Sequence, residues 1–220
     1  MPWLSLVPVA LTGLYYRLPE SLQSQTFVIF LPQLAAYAGL LLWLSQHPDG
    51  RRRLGMLPGH ERHGLRWGVP TGLILGILNV CSILFIAPRL GTDILFLRDT
   101  PHAKMPPWLM FPWIIVIIAV LIEVNFRGFL LGRLLALWQS LPMRSYDRVG
   151  QGVAMTISSV IFAFDPFMLT TFKELHWIAL WDGLVWSWLW IRLRNLYAPM
   201  VAHAVEVMIL YAILKAVLPP

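Results

Sequence analysis

Hydrophobic and polar positions along the chain fall in blocks rather than in residue-by-residue alternation. Apolar runs occupy 3–16, 27–44, 67–87, 108–137, 153–164, 177–190 and 196–217, with polar or basic connections between them. A bilayer crossing takes about 20 apolar helical residues, so 27–44, 67–87 and 196–217 are predicted spans. The run 3–16 is short for a full crossing and reads as a first span or an interfacial segment. The run 108–137 is longer than one crossing, which predicts a kink, a tilt or an emerging end. The run 153–164 meets Asp165-Pro166, where a regular helix loses a hydrogen bond and stops. The aromatic-rich run 177–190 carries Asp182, and the last run carries His203 and Glu206. The pattern predicts an all-α fold: a polytopic transmembrane bundle of about six to eight helices, forming one domain over 1–220. No repeat, linker or low-complexity segment interrupts it.

Composition strengthens this reading. The chain is 58% hydrophobic and 13% charged, with a mean hydropathy of +0.67; a soluble domain is about half apolar and a quarter charged. Eleven Trp and six Tyr suit the belts where amphipathic rings settle at membrane interfaces. The net charge of +6 comes from arginines clustered in short connections, so the connections after Leu44, Leu137 and Trp190 are expected in the cytoplasm. The connection 47–66 holds Arg51, Arg52, Arg53, Arg62 and Arg66, and that after Leu137 holds Arg144 and Asp147. No DNA- or RNA-binding motif accompanies the charge, so membrane lipids are expected partners and nucleic acid is not. The single cysteine, Cys81, allows no internal disulfide and no cysteine-based metal site. No basic residue precedes the first apolar stretch, so no cleavable signal is expected. Gly68, Gly72 and Gly76 recur at four-residue spacing, which lets a neighbouring helix approach closely.

Candidate chemistry gathers at Glu123 and Arg127. Their i, i+4 spacing puts both on one helix face within pairing distance. An ionisable residue at bilayer depth is costly and faces a protein interior or a cavity, which marks a functional position; an ion pair that only fixes helix packing is the alternative. His60 and His63, with Glu61 between them, read as solvated loop residues rather than a metal pair.

The stretch Glu123-Val124-Asn125-Phe126-Arg127-Gly128-Phe129-Leu130 resembles the first motif of the CPBP family. These are the CAAX-protease and bacteriocin-processing membrane proteins, also called abortive-infection-type proteases. Their motif is Glu-Glu-x-x-x-Arg; here Glu123 and Arg127 match, and the first Glu, the family's usual general base, falls on Ile122. Ser158–Pro166 resembles the second motif, Phe-x-x-x-His: Phe162 matches, and the His falls on Pro166, or on Asp165 with a one-residue slip. Asp165 reads either as a turn residue before Pro or as a replacement base. Asn195-Leu196-Tyr197-Ala198-Pro199-Met200-Val201-Ala202-His203 is similar to the approach to the third motif, His-x-x-x-Asn, with Val207 at the Asn position and Glu206 one residue earlier.

The resemblance covers about 108–208 and implies motifs converging in an intramembrane cavity. It implies an endopeptidase acting on a membrane-associated peptide or lipidated protein, in the multi-pass cell membrane of a bacterium or archaeon, with no cofactor. The candidate site residues are Glu123, Arg127 and His203, joined by Glu206 and Asp165. Glu123, His203 and Glu206 could also supply three metal ligands, a weaker reading; no metal is expected. Because Ile122 and Pro166 bring no side-chain proton acceptor, peptide cleavage is expected to be slow or absent. The alternative is a non-catalytic scaffold or chaperone that holds a membrane peptide or partner in the former active-site cavity.

Overall fold

The computed structural model describes residues 2–141 and 148–218; Arg144 and Asp147 lie outside the described residues. The described residues form helices joined by turns, without strands. The principal helices are α1 (Pro2–Tyr15), α2 (Thr26–Ser45), α3 (Glu61–Arg89), α4 (Pro107–Ser140), α5 (Arg148–Ala163), α6 (Pro166–Phe172), α7 (Ile178–Leu193) and α8 (Tyr197–Val217). Among these, α2, α3, α4 and α8 are each long and apolar enough to cross a membrane, and the broken stretch from α5 to α7 adds a fifth candidate span. Large apolar side chains such as Leu41, Ile74 and Ile117 are exposed on the spans, the surface a lipid-facing helix presents.

Helix boundaries depart from the apolar runs in two places. The basic connection is shorter than 47–66, because α3 begins at Glu61 and carries Arg62, His63 and Arg66 on its first turns. The long helix α4 is irregular. Phe111 leaves helical geometry (φ −108°, ψ 121°), as expected of a residue before a proline, whose ring disfavours the α conformation on its N-terminal side. A wider π-helical stretch then runs from Val124 to Leu131, a deviation common at functional sites. It contains Arg127.

The glycines of α3 set the central helix contact. Gly64, Gly68, Gly72 and Gly76 face Tyr197, Val201, Val205 and Ile209 in turn. The constant offset means that α3 and α8 run parallel, with nearly touching backbones. A Cβ on Gly68 would stand 2.6 Å from the Ala198 carbonyl oxygen and 2.6 Å from the Val201 Cβ. A backbone atom cannot swing away as a side-chain tip can. Gly68→Ala is therefore expected to lower stability by about 1–3 kcal/mol through overpacking, outweighing the helix propensity of alanine. Gly13→Ala, where nothing lies within 4 Å, is the control and should be neutral or stabilising. Thermal unfolding in detergent checks both, and equal effects at the two sites would contradict the packing account.

The Arg-rich connections after Leu44 and after Trp190 meet at one end of the bundle. Leu196 N donates to Gly55 O (3.0 Å), Trp190 Nε1 to Leu54 O (2.9 Å) and Asn195 Nδ2 to His60 O (2.9 Å). Arg133 of α4 lies 4.3 Å over the Trp43 ring of α2 at the same end. The core between the helices is built on Trp43, Phe129, Leu131, Phe162, Trp186, Leu189, Trp190 and Leu196.

Candidate active site

Glu123 closes a regular turn of α4, and Arg127 follows in the widened stretch. Arg127 Nη1 donates to Glu123 Oε1 at 3.1 Å, and both side chains are fully buried. The rest of the guanidinium is covered by aromatic faces, 4.6 Å from the Phe162 ring centre and 5.0 Å from that of Trp186, contacts that stabilise a desolvated cation. Gly183 leaves the room for this approach, since a Cβ there would stand 3.1 Å from Nη2.

His203 reaches the same carboxylate oxygen from α8. Its Nδ1 lies 2.9 Å from Glu123 Oε1. A carboxylate oxygen only accepts, so Nδ1 is the donor and Nε2 is the nitrogen left over. Trp186 stacks on the imidazole with ring centres 4.2 Å apart and planes 16° from parallel, which holds the ring plane.

A second polar cluster lies beside the first. Asn79 Nδ2 of α3 donates to both oxygens of Asp182 (3.1 and 3.0 Å) and to Glu206 Oε1 (2.8 Å). Trp181 Nε1 donates to Asn79 Oδ1 at 2.8 Å. The indole can only donate, so it fixes which way the amide points. Asn79, Asp182 and Glu206 are all buried, and no N–H or O–H of another side chain type reaches Glu206 Oε2.

Both clusters border a cavity of about 660 Å³. Ile122, Phe162, Asp182, Trp186, His203 and Glu206 line its inner part. Glu123 and Arg127 are not among the lining residues: they sit in the wall behind His203, so Glu123 meets the cavity only through that ring. Ile122 places an apolar side chain on the wall at the position where the family carries its base. The cavity extends toward Arg98, His102, Lys104 and Lys215, at the end of α8 away from the Arg-rich connections. There Lys104 pairs with Asp99 at 3.2 Å, and Lys215 Nζ donates to Ala103 O at 2.7 Å. Burial pushes His102 below the ordinary histidine range, so at neutral pH its imidazole is uncharged.

Asp165 lies elsewhere. It caps α6, accepting from Phe167 N at 3.0 Å, and takes a second bond from Gln33 Nε2 at 2.7 Å. Pro166 stands at the first helical position, where its missing N–H costs nothing. Neither residue lines the cavity, so the geometry gives Asp165 the turn role rather than that of a replacement base. Sequence reasoning reached Glu123, Arg127, His203 and Glu206 but left Asn79 and Asp182 out of the site. Their signal was a polar side chain in each of two otherwise apolar runs. Among the described residues, no group of three or more His, Cys, Asp or Glu side chains is arranged to hold a metal ion.

Comparison with known families gives one finding. Residues 104–209 match the family described as "Type II CAAX prenyl endopeptidase Rce1-like". No curated protein matches the chain, and no solved structure does. The match spans α4 to α8 and so takes in Glu123, Arg127, Asp182, His203 and Glu206. Residues 104–209 thus form a domain similar to the Rce1-like, type II CAAX prenyl endopeptidases, within a chain whose helices make a multi-pass membrane protein.

Proposed function

We propose that this chain is an intramembrane endopeptidase of the CAAX-protease type, working at reduced rate on a membrane-associated peptide or lipidated protein. The observation that carries this reading is the union of a largely apolar cavity with an imidazole fixed at its inner part. Glu123 holds one nitrogen of His203 and Trp186 holds the ring face. With both nitrogens protonated, the ring pairs with Glu123 on one side and offers Nε2–H to a peptide carbonyl on the other. A donor preorganised in a water-poor site stabilises a developing oxyanion better than the same donor in water. The reduced rate follows from Ile122, since losing a positioned base removes a factor of about 10²–10⁴. The cavity extends toward Lys104 and Lys215, away from the Arg-rich end, which supports entry of substrate from the side opposite the cytoplasm in a bacterial or archaeal cell membrane.

A second reading, a non-catalytic holder of a membrane peptide, is favoured by Ile122 and Pro166. Reconstitution into liposomes with a quenched fluorogenic transmembrane peptide separates the two. Slow turnover above the protein-free rate is the expected result. Peptide binding without turnover would establish the holder instead, and absence of binding would exclude both.

A further inference from the structure

We propose that Asp182 and Glu206 are the acid–base pair of this site, doing the proton transfer that Ile122 cannot; the proposal rests on the peptidase reading. Both carboxyl groups line the cavity with His203. They converge on a single amide nitrogen, Asn79 Nδ2, which Trp181 orients. Buried carboxylates are normally kept only with a cation. Here Arg127 is hydrogen-bonded to Glu123 and acts on Asp182 and Glu206 only through space, and among the described residues no ion pair within 4 Å joins either carboxyl to a cation. Two carboxyl groups this close in an apolar wall do not both ionise, so the pair holds one acid and one base. No N–H or O–H of another side chain type reaches Glu206 Oε2, and the two carboxyl groups lie within hydrogen-bond reach of each other, the arrangement of a pair that shares one proton.

The chemistry balances without a cofactor. The ionised carboxylate takes a proton from water as the water oxygen bonds to the peptide carbonyl carbon. The protonated partner gives its proton to the carbonyl oxygen, which His203 Nε2–H steadies. In the second step the carboxyl that gained the water proton gives it to the amide nitrogen, and the C–N bond breaks. The other carboxylate recovers a proton from one hydroxyl as the carbonyl reforms. The products are a carboxylic acid and an amine, and both side chains end as they began.

The test uses the full chain in liposomes with the quenched transmembrane peptide, comparing wild type with Asp182→Asn and Glu206→Gln. Glu206→Gln keeps an oxygen for Asn79 Nδ2, so its thermal unfolding and peptide binding should hold while turnover falls by about 10²–10⁴-fold. Asp182→Asn turns one acceptor of Asn79 Nδ2 into a donor, so its turnover is compared at matched folded fraction and should fall by the same order. Undiminished turnover in either variant overturns the pair and leaves the peptidase reading intact. Binding without turnover in the wild type overturns both. A readout independent of the variants is inhibition of the wild type by the same peptide with a hydroxyethylene group in place of the scissile amide. Its hydroxyl occupies the water position between two carboxyls, and failure to inhibit an active wild type would also overturn the pair.

Discussion

Arg127→Ala lowers the stability of the detergent-solubilised protein by about 3–5 kcal/mol, the cost of stranding one partner of a buried ion pair. The geometry says why the cost should reach that range. Arg127 is completely enclosed, its Nη1 on Glu123 and its guanidinium against the rings of Phe162 and Trp186. Removing it leaves a carboxylate in the wall with His203 as its only compensating donor, and a void where the guanidinium was. Glu123→Gln combined with Arg127→Met removes both charges and keeps most of the volume, so the double variant should recover most of the loss. Thermal unfolding of wild type, single and double variants decides it. Equal losses in the single and double variants would mean that the charge of Glu123 is compensated without Arg127.

His203→Ala is expected to cut peptide turnover by about 10²–10³-fold, the scale seen when one oxyanion donor is removed, while peptide binding persists. Glu123→Gln should act in the same direction but less strongly. The glutamine oxygen can still accept from Nδ1–H, though it brings no negative charge to the ring. The ordering follows from placement: His203 lines the cavity, whereas Glu123 is fully enclosed behind it. Turnover measured in liposomes for both variants provides the check. If Glu123→Gln abolished turnover while His203→Ala left it unchanged, Glu123 itself would be the working base and the assignment of roles here would fail.

Much of this was legible along the chain because membrane helices are local objects. In hydrocarbon each backbone polar group must be satisfied within its own segment, so run length and apolar content are enough to place α2, α3, α4 and α8. The Glu123–Arg127 pair is local too, since four residues make one turn and the partners must meet. Likewise the glycines of α3 announce a close helix contact, because only small residues permit one. His203 was visible through the residues leading up to it.

What the chain alone did not reveal depends on which helix faces meet. Asn79 joins Asp182 and Glu206 across sequence separations of 103 and 127 residues. That meeting exists because α3 and α8 lie backbone against backbone in register, which brings the side-chain position after the glycine ladder against Glu206. Asp165 illustrates the converse. Its role as a cap before Pro166, with the bond from Gln33, turns it away from the cavity. Helical periodicity decides which side of a helix a polar residue occupies. Whether that side then faces lipid, a partner or a cavity is decided by packing, and it was packing that turned six polar positions on four helices into two clusters beside one cavity.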